Sequence, residues 1–218
     1  MRTFVVLPNV HEESFPVGFD GPDVRFAPAL ARRLLAEFTQ AGDVVFDPFA
    51  GFGTTLRVAE AMGRVAYGIE WDERRAAYIR SRLERPQNLI HGDSRRLAEY
   101  PGIPPFDFSL TSPPYMRRGD VEDPLTNYTV EGQGYDTYLT DLRAVYAQVA
   151  ARMRPGATVV IEASNLNRGA ANGGVTMLAW DIAAVVSEVL TFAGEIVVGW
   201  EGGYGFGYDH SYCLVFRR

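Results

Sequence analysis

The strongest constraint on this chain is a rhythm. From residue 24 onward, short apolar runs of strand character alternate with stretches of helical periodicity. That order predicts a mostly parallel sheet with helices on both faces. Strands are expected at Asp43 to Phe46, Val65 to Ile69, Leu89 to His91, Phe106 to Leu110, Ala157 to Ala163, Ile196 to Trp200 and Tyr212 to Phe216. Pro28 can open a helix whose Leu30, Leu34, Leu35 and Phe38 share one face to about Gln40. Further helices are expected at about Thr54 to Met62, Asp72 to Leu83, Tyr135 to Met153 and Leu178 to Leu190. No helix separates the last two strands, so they must pair as a hairpin. The expected fold class is α/β, a doubly wound, mostly parallel seven-stranded sheet with a C-terminal antiparallel hairpin.

At 218 residues the chain can bury one good core but not two ordinary ones, so residues 1–218 read as a single domain. Within it, residues 1–23 form an N-terminal arm and residues 116–134, rich in Gly, Asp, Asn and Pro, form a long loop of the kind that usually carries function. No run approaches the roughly 20 apolar residues of a membrane helix, and the first apolar run is broken by Pro8 too early for a signal peptide. A cytoplasmic location and no membrane partner are expected. The single cysteine, Cys213, reads as a small core residue, and no Cys or His cluster suggests a metal. All 21 basic residues are arginine, yet the net charge is −6, which argues against tight autonomous binding to a polyanion. Of the arginine pairs, only Arg117-Arg118 falls where a substrate phosphate fits.

The segment DPFAGFGTT, Asp47 to Thr55, is a strand end, a glycine turn and a helix start. Its glycines allow close approach of a ligand, and the first helical amides suit an anion. Leu56 stands where a dinucleotide fingerprint wants a third glycine, and no Lys precedes the Thr as a phosphate loop requires. The next two strand ends also carry acids. Glu70 lies about 20 residues past the turn, where an acid meets ribose hydroxyls, and Trp71 offers a ring for adenine. Asp93 is placed to accept from an adenine amino group, although each acid taken alone fits a helix N-cap equally well.

Those residues outline a nucleoside pocket, and Thr111-Ser112-Pro113-Pro114-Tyr115 suggests its reaction. Two prolines hold the chain extended and aim the carbonyls beside them outward. An exocyclic amine on a base is a poor nucleophile, because its lone pair is delocalised into the ring. Ser112 Oγ and the Pro113 carbonyl, as two acceptors on its N–H bonds, would favour a pyramidal nitrogen aimed at an electrophile. Tyr115 would stack on a base swung out of its helix.

The ordered series FAPAL, DPFAGFGTT, GIE, HGD and TSPPY resembles that of the DNA amino-methyltransferases, which make N4-methylcytosine and N6-methyladenine. The likeness runs from about Phe26 through Tyr115, and the closing DHSYCLVFRR resembles the end of that catalytic domain. It implies a Rossmann-like class I methyltransferase fold, S-adenosyl-L-methionine as cofactor and a nucleic-acid substrate, DNA before RNA. It further implies that Phe26, Asp47, Pro48, Phe49, Gly51, Gly53, Thr54, Thr55, Glu70, Trp71, Asp93, Ser94 and Ser112 surround the cofactor. Ser112, Pro113, Pro114 and Tyr115 then form the catalytic loop, and serine at its head points to cytosine N4.

Two departures stand beside that likeness: the negative charge, and the lack of any segment long enough for a target-recognition region. Substrate contact would fall to residues 116–134, the loop around Asn165 to Val175 and the N-terminal arm, with a recognition partner or homodimer left open. Methylation of guanosine N2 in transfer RNA is the alternative, ahead of adenine N6 in DNA and of a protein amide. A non-catalytic binding module is disfavoured by the intact Ser112-Pro113-Pro114-Tyr115. Tyr128, Tyr135, Tyr208 and His210 are candidate pocket aromatics, read first as loop-edge packing.

Overall fold

The computed structural model describes residues 2–19, 25–167 and 174–218. In chain order its strands are β1 (Phe4–Pro8), β2 (Val44–Asp47), β3 (Val65–Glu70), β4 (Leu89–His91), β5 (Phe106–Thr111), β6 (Met153–Ala163), β7 (Leu166–Asn167), β8 (Val175–Thr176), β9 (Thr191–Glu201) and β10 (His210–Arg217). Helices α1 (Pro28–Phe38), α2 (Thr54–Ala61), α3 (Glu73–Arg80), α4 (Tyr135–Arg152) and α5 (Leu178–Ser187) lie between them. The main sheet runs β1-β9-β10-β6-β5-β2-β3-β4, and β7 pairs with β8 separately.

The α/β class and the closing hairpin are as the sequence rhythm predicts. Strand β10 runs antiparallel to both neighbours, β6 and β9, while every other pair in the sheet is parallel. The strand number needs correction from seven to eight. Phe4–Pro8 is too short and too soon ended by proline to stand out in the sequence, but it gains a place by pairing along the edge of β9. The described part of the N-terminal arm is therefore built into the protein: beyond β1, Phe15 and Phe19 set their ring edges against Phe52, 5.1 and 5.0 Å away.

Both faces of the sheet are buried, which is why its central strands read as nearly continuous apolar runs. Phe46, Phe106, Val159 and Ile161 pack with α4 and α5 on one face. Val45, Phe108, Leu110 and Val160 pack with α1, α2 and α3 on the other. Cys213 is fully buried in that second layer, as expected of a small core residue. Strand β3 leaves β2 on one side and β5 flanks it on the other, so the chain reverses direction across the sheet between β2 and β5. Open sheets of this kind bind ligands beyond the carboxyl ends of the strands at that point.

Candidate active site

A cavity of about 560 Å³ opens where β2, β3 and β5 end. One side is the turn after β2. Gly51 and Gly53 take φ of +58° and +79°, conformations that cost other residues strain, and Gly53 caps α2. A Cβ on Gly53 would stand 2.9 Å from Ile79 Cγ2, so this residue also lets α3 close on the turn. The Ser94 hydroxyl, itself buried, donates to the Pro48 carbonyl and holds the turn from the far side.

Glu70, at the end of β3, is buried on the cavity wall. Its carboxylate accepts from the Gly51 N–H at 2.7 Å and the Asp72 N–H at 2.9 Å. Burial pushes its carboxyl up to about 7, against the pull of the Asp72 amide, Arg75 and the Gly51 amide. Asp47 accepts from the Phe49 N–H at 3.0 Å, and burial pushes it up to about 6. Trp71, beside Glu70, is 38% exposed and also lines the cavity.

The opposite side is the Ser112-Pro113-Pro114-Tyr115 loop that continues β5. Its last two carbonyls are taken: Tyr138 donates to that of Pro114 at 2.8 Å and Tyr128 to that of Tyr115 at 2.7 Å. Behind the loop stands Glu162 on β6, fully buried. Tyr115 donates to its Oε2 at 3.1 Å and Tyr204 to its Oε1 at 2.8 Å, while Ser112 Oγ donates to the Tyr115 hydroxyl at 3.4 Å. The Tyr115 ring packs on Phe206 with centroids 5.3 Å apart.

Of the residues named from the sequence, Phe26, Asp47, Pro48, Phe49, Gly51, Thr54, Thr55, Glu70, Trp71, Ser94 and Ser112 through Tyr115 line this one cavity. Gly53 and Asp93 do not. Gly53 packs beneath the turn. Asp93 is turned aside by Arg95, whose Nε lies 3.0 Å from both its oxygens and whose Nη2 lies 2.8 Å from Oδ2. The helix-cap alternative holds for this acid, which accepts from the Arg95 N–H. Arg95 continues to Asp123 at 3.0 Å and Asp141 at 3.4 Å, tying the 116–134 loop to α4 and to the turn that follows β4. That loop is not featureless: it holds a 3-10 turn at Pro124–Thr126 and a bridge between Glu122 and Glu131.

Several cavity residues went unnamed in the sequence. Tyr204 and Phe206 sit in the β9–β10 turn, where the alternation Tyr-Gly-Phe-Gly was the available signal. Glu162 had none, being one acid in a strand. Tyr128 does reach the cavity wall, whereas Tyr135, Tyr208 and His210 do not. The arginine pair divides: Arg117 lines the cavity, while Arg118 turns to Asp181 at 3.1 Å and stacks on Tyr135. Arg75 and Arg117 face the cavity without an ion pair among the described residues. Of the loop around Asn165 to Val175, Leu166 lines the cavity and residues 168–173 lie outside the described residues, as do Met1 and residues 20–23 of the arm and residue 24 after it. Among the described residues no helix is long and apolar enough to cross a membrane.

The fold is that of the Rossmann-like methyltransferases. The protein TrmN from Thermus thermophilus superposes with a TM-score of 0.62 over 88% of this chain and 48% of its own, at 18% identity. Residues 10–81 match the family model described as DNA methylase, so the resemblance to the DNA amino-methyltransferases is shown over that third of the chain. The match ends before Ser112. The DNA adenine methyltransferase YhdJ of Escherichia coli is 39% identical over 71 residues, 33% of this chain and 23% of the relative. The type II methyltransferase M.BamHI of Bacillus amyloliquefaciens is 37% identical over 70 residues, 30% of this chain and 16% of the relative. The chain thus matches less than a quarter of the length of either relative.

Proposed function

We propose that this chain is an S-adenosylmethionine-dependent N-methyltransferase acting on an exocyclic amino nitrogen of a nucleic-acid base, with cytosine N4 in DNA the preferred target. The observation that carries this reading is the shared cavity: the glycine turn with Glu70 and the Ser112 to Tyr115 loop face one space of about 560 Å³. The residues fit the cofactor. Glu70 retains acceptor capacity for ribose hydroxyls, Trp71 offers a ring to the adenine, and the turn at Gly51 brings bare backbone to the ligand. When bound, the cofactor supplies an electrophilic methyl group on a sulfonium. The chain's own part is to hold the amino group by acceptors at Ser112 Oγ and the carbonyls preceding Pro114, since those of Pro114 and Tyr115 already accept from Tyr138 and Tyr128.

The net charge of −6 does not exclude a polyanion, because Arg25, Arg74, Arg75 and Arg117 all line the cavity. Neither Arg75 nor Arg117 makes an ion pair among the described residues, and Arg117 follows the catalytic loop by two residues. We assign target choice to a recognition partner or a second copy, and the site of action to the cytoplasm. Adenine N6 is the second reading, favoured by the 39% identity to YhdJ.

The test is to incubate the purified protein with labelled S-adenosylmethionine and either DNA or transfer RNA, then identify methylated nucleosides by mass spectrometry. N4-methyldeoxycytidine is expected. N6-methyldeoxyadenosine would move the target to adenine, and label confined to guanosine of transfer RNA would overturn the DNA assignment.

A further inference from the structure

Glu162 is the one fully buried carboxylate in the molecule that belongs neither to the glycine turn nor to an ion pair among the described residues. Its surroundings are hydroxyl groups from three elements. Tyr115 and Ser112 reach it from the loop after β5, Tyr204 from the β9–β10 turn, and Ser211 from β10, with the Cys213 thiol also nearby. Burying a carboxylate costs several kcal/mol or more unless it is hydrogen-bonded, so placing one here needs a reason.

We infer that Glu162 is a positioning residue that sets the direction of the hydrogen bonds in the catalytic loop and receives the proton the amino group sheds. The first part follows from donor and acceptor bookkeeping. An ionised carboxylate can only accept, so Tyr115 and Tyr204 must each spend their one proton on it. The Tyr115 oxygen is then free to accept, and Ser112 Oγ donates to it at 3.4 Å. With its proton committed rearward, Ser112 can present only lone pairs to the cavity, which is what an N–H donor requires. The inference rests on the methyltransferase reading above for what occupies the cavity, but the direction of the chain does not.

The second part is a proton balance. An amino nitrogen that gains a methyl group has four bonds and a positive charge, and it returns to neutrality by losing one N–H proton. Ser112 Oγ takes that proton and passes its own to Tyr115, which passes its own to Glu162. Two hydroxyls end as they began and one carboxylate becomes a carboxyl. The 3.4 Å link is long, and such bonds commonly tighten when substrate fills the site. Burial pushes the Glu162 carboxyl up, which suits a proton acceptor, while the hydroxyls around it pull the other way. Burial and the charge of Glu162 hold the Tyr115 phenol well above its usual range, so it remains a donor.

Two measurements test this. Infrared difference spectra of protein carrying isotope-labelled glutamate, wild type minus Glu162→Gln, report the ionisation of this one group. A carboxylate band at neutral pH, converting to a carboxyl band as pH falls, is expected. A carboxyl band throughout the neutral range would mean that Glu162 donates, and would overturn the inference. Should Glu162→Gln not fold, Tyr115→Phe removes one donor and shifts the same band. This measurement needs no methyl acceptor, so it stands even if the substrate proposed above is wrong. In turnover, Glu162→Gln and Tyr115→Phe should each lower kcat by roughly a hundredfold, the usual scale of a lost proton-transfer path, with the double variant no worse than either alone. Losses that multiply in the double variant would instead mark two independent structural defects and overturn the relay.

Discussion

The Tyr115 hydroxyl donates to Glu162, 3.1 Å away, a carboxylate with no exposure to solvent. The four-residue loop that faces the cavity is thus held by an acid from the next strand, and its tyrosine is oriented by its oxygen as well as by ring packing on Phe206.

Ser112→Ala should separate chemistry from cofactor binding. Losing one positioned acceptor is expected to lower kcat roughly a hundredfold, as loss of one preorganised hydrogen bond typically does. The dissociation constant of S-adenosylhomocysteine, measured by calorimetry, should stay nearly constant. An equal loss of cofactor affinity would place Ser112 in the cofactor site alone.

Glu70 predicts how binding depends on pH. On the proposed reading ribose hydroxyls donate to the ionised carboxylate, so cofactor affinity should rise as pH passes upward through about 7, with a proton released on binding. Titration calorimetry in buffers of different ionisation enthalpy measures that proton. Stability runs the other way. The folded-state value lies above the ordinary 4.5, so the native state holds the extra proton and stability falls as pH rises from about 4.5 to about 7. Glu70→Gln should flatten both dependences.

Gly53→Ala combines a φ of +79° with a Cβ pressed against Ile79. A loss of about 1–3 kcal/mol is expected, visible as a Tm lowered by several degrees. Retention of the wild-type Tm would show that the turn and α3 can separate freely.

Arg95→Ala should act on the loop before it acts on the cofactor. It removes the link among Asp93, Asp123 and Asp141, so limited proteolysis within residues 116–134 should accelerate. Affinity for S-adenosylhomocysteine should change little, because Asp93 does not line the cavity.

Arg117→Gln should reduce the salt dependence of binding to a labelled single-stranded oligonucleotide, the slope of log K against log salt falling by about 0.7 for one lost phosphate contact. Arg118→Gln is the comparison, since Arg118 is already engaged by Asp181, and its slope should match wild type.

The strand and helix order was legible because both faces of the sheet are covered, so its strands had to be apolar and its helices amphipathic. Asp47 and Glu70 end β2 and β3 and Ser112 follows β5 directly, so their place on the cavity wall was legible from the strand ends alone. Asp93 lies two residues past β4, yet it does not line the cavity. A guanidinium two residues on captures the carboxylate, and no spacing rule reports which way a side chain rotates.

The sequence by itself determined seven strands of the sheet, the glycine turn and the Ser-Pro-Pro-Tyr loop, since these follow from local periodicity and from backbone angles only certain residues tolerate. Tertiary structure decided the eighth strand, the approach of Tyr204 and Phe206 from the last turn, and the placing of Glu162 behind Tyr115, 47 residues away in the chain. Contacts between distant segments depend on register and packing, and neither leaves a mark on any short window of residues.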